Sequence, residues 1–193
     1  MKNTLKQELK QAKRKSAKPM LWVSMISMTM MFAGLTSAYV VSRKRDDWVS
    51  FDLPPAFYTS TILIVLSSIA FLLAKFFIKK NNRKLTTLFL ASTLILGVGF
   101  VFFQFEGFKE LFDSGLFFAG AKSTVKSSFI YGITLAHLAH IAAGIIVLLV
   151  VFYNHINKKY TSTNFLGLEL GAIFWHFVDI LWIYLFLFFN FIR

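Results

Sequence analysis

Phe174-Trp175-His176-Phe177-Val178-Asp179-Ile180-Leu181-Trp182 sets an imidazole, a carboxylate and two indoles inside a run that is otherwise hydrocarbon. The run extends from Leu168 to Ile192, longer than the ~20 apolar residues a helix needs to cross a bilayer. It therefore reads as a membrane-spanning helix with polar groups in its middle. Ionisable side chains there cost several kcal/mol unless they pair or meet water, which makes them functional candidates. His176 and Asp179 are three residues apart and share one helical face, with Trp175 and Trp182 a turn away on either side.

The rest of the chain repeats the pattern. With 56% hydrophobic and 18% aromatic residues in 193, it has the composition of a polytopic membrane protein. The expected fold is an all-α bundle of five transmembrane helices, at about 20–42, 57–78, 85–105, 127–153 and 168–192. They form one membrane domain, 20–193, preceded by a basic tail, 1–19. Remaining loops are short, apart from the connection Gln104–Lys126, and leave no room for a soluble catalytic domain. Absence of cysteine excludes disulfides, thiolate metal sites and cysteine nucleophiles. The first apolar stretch exceeds the ~7–15 residues of a signal peptide's core and is followed by Arg43-Lys44-Arg45, so it reads as a span.

Lys and Arg are unevenly distributed. The N-terminal stretch, the Lys75–Lys84 turn and Lys158-Lys159 fall on one side, with about twice the positive residues of the side holding Arg43, Lys44, Arg45, Lys109, Lys122, Lys126 and Arg193. The positive-inside rule then places the N-terminus in the cytoplasm and the C-terminus outside. This bias accounts for the net charge of +12. The lysines of the first 18 residues, irregular along the chain and without interleaved aromatics, suit a solvated tail drawn to anionic lipid rather than a nucleic-acid surface.

At a rise of about 1.5 Å per residue, Asp179 lies about 15 Å beyond Glu169, near mid-membrane, and His140 is at a similar depth on the antiparallel fourth helix. Depth therefore predicts that His140, with His137 one turn away, faces His176 and Asp179; Ala136, Ala139, Ala143 and Gly144 allow close approach. Such a cluster can ligate haem or a metal, conduct protons, or hydrogen-bond internally and fix helix register. Crowding by tryptophan and phenylalanine favours the third. No metal-ligand set is assigned.

These residues resemble subunit III of the haem–copper terminal oxidases, the cytochrome c oxidase group. Trp175 to Trp182 looks like that family's most characteristic string, and Glu169 matches the acid it carries at the entrance to the same helix. Ser128-Phe129-Ile130-Tyr131 followed by Thr134, His137, His140 and Gly144 is similar to its preceding helix. Ala38-Tyr39, Arg43, Trp48, Leu53-Pro54-Pro55, Thr59, Ser67-Ser68 and Gln104 fit its earlier elements in order. Five spans suit the short bacterial form. One position departs: where the family carries a buried glutamate after a serine, this chain has Ser27-Met28, and Met28 extends an apolar stripe with Met25, Met31 and Leu35. Any role of that acid does not transfer.

The resemblance implies a non-catalytic subunit of a proton-pumping oxidase in the bacterial cytoplasmic membrane. Haem and copper would lie in partner subunits and none in this chain; the partners would be catalytic subunit I, subunit II and phospholipid. It is equally compatible with subunit III of a quinol oxidase. A transporter or a b-type haem protein using the same histidines is the competing class. Interfacial residues able to meet lipid head groups are Arg43, Trp48 and Arg193 on one side and Lys79, Lys80 and Arg83 on the other.

Overall fold

Prolines, asparagines and hydroxyls punctuate the chain where its helices begin and end. In the computed structural model these are α1 (Lys2–Ser42), α2 (Pro55–Lys79), α3 (Arg83–Asp113), α4 (Val125–Ile156) and α5 (Leu166–Phe191). The structure describes residues 2–120, 123–161 and 164–192, with backbone alone for 2–11, 13 and 14. Lys122 and Arg193, and with Arg193 one head-group candidate, lie outside the described residues. All five helices contain a segment long and apolar enough to cross a membrane, and among the described residues the sole β-pairing is an isolated bridge, Phe117 to Ser123.

Pro55 opens α2, where its missing N–H is no loss. Asn81 adopts φ 57° after that helix ends, and the Asn82 side chain accepts from the Leu85 N–H to start α3. Thr124 and Ser127 bond reciprocally in a capping box that starts α4.

The helices exceed the expected spans. α3, at 31 residues, is about 46 Å long, so the region after Gln104 stays helical to Asp113 rather than forming a loop. α4 begins before Ser127 and ends after Tyr153 because its polar ends find protein partners. Lys126, 1% exposed, donates to the Phe51 carbonyl at 2.7 Å, and His155 meets Thr87 of α3 at 3.0 Å. The N-terminal segment is helical too and continuous with α1 through Pro19, which removes one backbone hydrogen bond without ending the helix.

Helices α2, α3, α4 and α5 close a ring in which each packs on the next, and α2 meets α5. α1 lies outside that ring and, among the described residues, packs on α4 and α5 and not on α2 or α3. Its buried face carries Met25, Phe32, Thr36 and Tyr39, with Met28 and Leu35 partly covered beside them. Met31, expected in this stripe, is exposed. At 100° per residue it is Phe32 that continues the face from Met25 and Met28. Met28 occupies an ordinary apolar packing position.

Candidate functional site

Trp175 fills the centre of the four-helix ring. It is fully buried, and two glycines make its slot: a Cβ on Gly97 of α3 would lie 2.8 Å from the indole, and one on Gly144 of α4 would lie 3.1 Å from it. Two glycines on facing helices thus admit one large ring between them. The indole Nε1 donates to Ser67 of α2 at 3.2 Å, and Ser67 donates onward to the Thr93 carbonyl of α3 at 3.0 Å. One side chain of α5 therefore ties together all four helices of the ring.

Trp182, seven residues on, repeats the arrangement. Its Nε1 donates to Thr61 at 2.9 Å, and Thr61 donates to the Phe57 carbonyl at 2.7 Å. Gln104 of α3, fully buried, donates to Ser60 at 3.0 Å, and Ser60 also donates to the Phe57 carbonyl. In each case the hydroxyl gives its hydrogen to a backbone carbonyl and offers a lone pair to a side chain from another helix. Ser60-Thr61 and Ser67-Ser68 are doublets seven residues apart, so they stack along one face of α2 and set the register of α3 and α5 against it.

Ser68 receives the polar residues of α5. His176 Nδ1 lies 2.6 Å from its hydroxyl, with the Phe71 ring 6.0 Å from the imidazole. Asp179, 1% exposed, interacts with the same hydroxyl, although neither carboxyl oxygen reaches full hydrogen-bond geometry. The shared face of His176 and Asp179 is thus turned toward α2, and the Ser68 hydroxyl stands between an imidazole and a carboxyl.

The histidines of α4 lie elsewhere. His137 is fully buried among Trp182, Phe100 and Phe32, with ring centroids at 5.3, 6.1 and 6.3 Å. Neither of its ring nitrogens has a hydrogen-bond partner. His140 is turned to α1 rather than to Asp179: its Nδ1 is 2.7 Å from the Ala136 carbonyl and its ring packs on Phe32 at 5.6 Å. Depth gave the height of these residues but not their rotation; three residues advance a helix by about 300°, enough to send His137 inward and His140 toward the outer helix. Among the described residues no three of His, Asp or Glu come together as a metal-holding group. Iron reaching His137 would have to displace one of its three aromatic neighbours.

The bundle's ends complete the arrangement. Glu169, in the first turn of α5, pairs with Lys18 of α1 at 3.0 Å. At the opposite end Tyr39 is fully buried and packs on Trp48 at 4.9 Å, edge to face. Phe129, Phe188 and Phe189 surround the same ring. Among the head-group candidates, Arg83 donates instead to the Tyr160 carbonyl at 2.8 Å. Lys79 and Lys80 lie over Phe165 and Phe76, Trp48 packs inward on Tyr39, and Arg43 is exposed. The sequence shows Lys126 only as a positive residue of the outer side, and nothing in it singles out His155; for Ser60-Thr61 the seven-residue repeat of hydroxyl doublets on α2 is the available signal.

Comparison with known proteins agrees with this architecture. The family model described as cytochrome c oxidase subunit III matches residues 50–192. Cytochrome c oxidase subunit 3 of Alkalihalophilus pseudofirmus is 28% identical over 155 residues, 80% of this chain and 73% of that protein. The subunit 3 of Bacillus sp. PS3 is 25% identical over 170 residues, 86% of this chain and 80% of that one. That of Spodoptera frugiperda is 30% identical over 129 residues, 66% of this chain and 83% of its own length. A match that begins in the loop before α2 and runs through all four helices of the ring leaves one assignment: the chain belongs to the cytochrome c oxidase subunit III family.

Proposed function

We propose that this chain is the non-catalytic third subunit of a proton-pumping respiratory oxidase of the cytochrome c type in a bacterial cytoplasmic membrane, N-terminus inside. It docks beside subunits I and II, which carry the haem and copper. There it stabilises the catalytic subunit, retains phospholipid and supports proton uptake. The observation that carries the reading is the interior of the ring: its space is taken by Trp175 and Trp182, and its hydroxyls serve to join helices. That construction suits a rigid scaffold.

Copurification in mild detergent tests the proposal. A large histidine-rich haem–copper subunit should accompany the chain, and the chain separated from it should show no Soret band. A stoichiometric Soret band in the isolated chain would overturn the reading. Asp179→Asn supplies a finer check, since it keeps the size of the side chain but replaces a carboxyl group with a carboxamide beside Ser68 and His176. The variant should loosen the chain's hold on lipid or on the complex, seen as a lower melting temperature in detergent, while the haem spectrum of the assembled oxidase stays unaltered. Loss of haem from a fully assembled variant complex would contradict a structural role.

A further inference from the structure

Ser68 differs from the other three hydroxyls of the α2 doublets. Ser60, Thr61 and Ser67 each give their hydrogen to a backbone carbonyl. The Ser68 hydroxyl instead lies 2.6 Å from His176 Nδ1 and interacts with the Asp179 carboxyl. A hydroxyl has one hydrogen and two lone pairs, so between two side chains it donates to one and accepts from the other. The outer atoms of this triad are buried and have no hydrogen-bond partner: His176 Nε2 at one end, Oδ1 and Oδ2 of Asp179 at the other. Joining α5 to α2 needs none of these three atoms, because Trp175 and Trp182 already do so through Ser67 and Thr61. Leaving buried polar atoms unpaired is destabilising, so their presence calls for a second role.

The triad admits two bonding patterns that differ by one proton. In the first, Asp179 is a carboxylic acid that donates to Ser68 Oγ, Ser68 donates to His176 Nδ1, and Nε2 carries the imidazole hydrogen. In the second, Nδ1 carries that hydrogen and donates to Ser68 Oγ, Ser68 donates to an ionised Asp179, and Nε2 is a lone pair. To pass from one to the other, the Asp179 proton moves to Ser68 Oγ as the Ser68 hydrogen moves to Nδ1, and the Nε2 proton leaves. The imidazole is neutral in both patterns, and the triad has lost one proton. Both O–H and N–H groups along the line keep an acceptor throughout.

The line opens toward the end of the bundle that holds the N-terminus. Side chains lean toward the start of their own helix, and α2 and α5 cross the membrane in opposite directions. Lys75, about 6 Å from the end of α2 and half-buried, therefore leans toward mid-membrane, while His176 leans down to meet it. The Lys75 ammonium is close enough to act on His176, and a cation there favours the pattern with Asp179 ionised. On the other helices packed against α5, His137 and His140 lie on Trp182 and Phe32, and Lys18 pairs with Glu169. Away from the N-terminus the line stops: Thr61 has given its hydrogen to the Phe57 carbonyl and accepts from an indole, which does not titrate. We infer that Ser68, His176 and Asp179 form a reversible binding site for a single proton, loaded past Lys75 from the N-terminal side and closed toward the other. Such a site stores a proton and does not conduct one across. It assigns residues to the proton-uptake part of the proposed function and rests on that reading for its role in an oxidase.

Infrared difference spectroscopy of the full-length chain in lipid vesicles, sorted by protease access to the N-terminal segment, tests it. The carbonyl stretch of a protonated carboxylic acid should be present, fall as the pH is raised on the N-terminal side, and ignore a pH step on the other side. Asp179→Asn should remove that band. Ser68→Ala should keep it, since the acid remains, but slow its exchange with deuterium oxide by about 100-fold or more, the scale on which a positioned proton donor acts. Ser68→Thr, which restores a hydroxyl, should exchange like the parent. A titrating band that survives Asp179→Asn, the lack of any such band, a response to the far side, or equal exchange in Ser68→Ala and the parent would overturn the site. The two proposals fail separately: an intact oxidase complex whose Asp179 binds no exchangeable proton removes only the site, and a titrating Asp179 in a chain that never accompanies a haem–copper subunit removes only the proposed function.

Discussion

Replacing Trp175 with alanine should lower stability by about 3–5 kcal/mol, the cost of truncating a fully buried large aromatic. It should also split the bundle's cooperative unfolding. The indole fills a slot bounded by α3 and α4 and donates to α2, so its loss leaves a cavity where four helices meet and leaves the Ser67 lone pair without its donor. Thermal unfolding in mild detergent, followed by circular dichroism and by protease cleavage of the loops, should show α5 loosening before the α2–α3 pair. Trp175→Phe should recover much of the packing but not the hydrogen bond, and should fall between the two. A melting temperature for Trp175→Ala within a degree or two of the parent would show that the ring is not held as described.

Gly97→Ala should be the next most damaging change, and its effect should depend on Trp175. The added methyl would stand 2.8 Å from the indole, too close without movement of a ring confined on both sides. Overpacking of this kind costs about 1–3 kcal/mol. In a Trp175→Ala background the methyl has room, so the cost should vanish or reverse, giving a coupling energy of similar size. Gly34 provides the contrast, because a Cβ there meets nothing within 4 Å. Alanine at Gly34 should show only the ~1 kcal/mol it gains over glycine in helix propensity. Additive behaviour of Gly97→Ala and Trp175→Ala in thermal unfolding would contradict the slot.

The sequence revealed most where hydrophobicity decides and least where rotation decides. The number and order of the five spans follow from apolar length, and the common face of His176 and Asp179 follows from their spacing. What that face meets did not follow, because depth matching pairs residues by height and leaves the helix free to turn. His140 was expected opposite Asp179 and lies instead on Phe32 of α1, while Ser68 on α2 receives His176. The span of α4 was underestimated for a related reason: Lys126 and His155 look like reasons to end a helix until their partners, the Phe51 carbonyl and Thr87, are known. Trp175 and Trp182 were noticed as aromatic neighbours of a polar pair. That the smallest residues of α3 and α4 make room for the first of them is a tertiary fact, invisible from α5 alone.

The position of α1 bears on how the chain is made. This helix leaves the ribosome before the other four, yet among the described residues it packs on neither α2 nor α3 and finds its helix neighbours in α4 and α5, including the Lys18–Glu169 pair at the very start of the last helix. Throughout most of synthesis it must therefore wait in the bilayer without its native contacts, while α2 and α3 can already pair as a hairpin. Nascent chains halted before Leu166 should leave α1 accessible to crosslinking by the insertion machinery, and its release should coincide with emergence of α5. Membrane integration then ends with the first helix settling last.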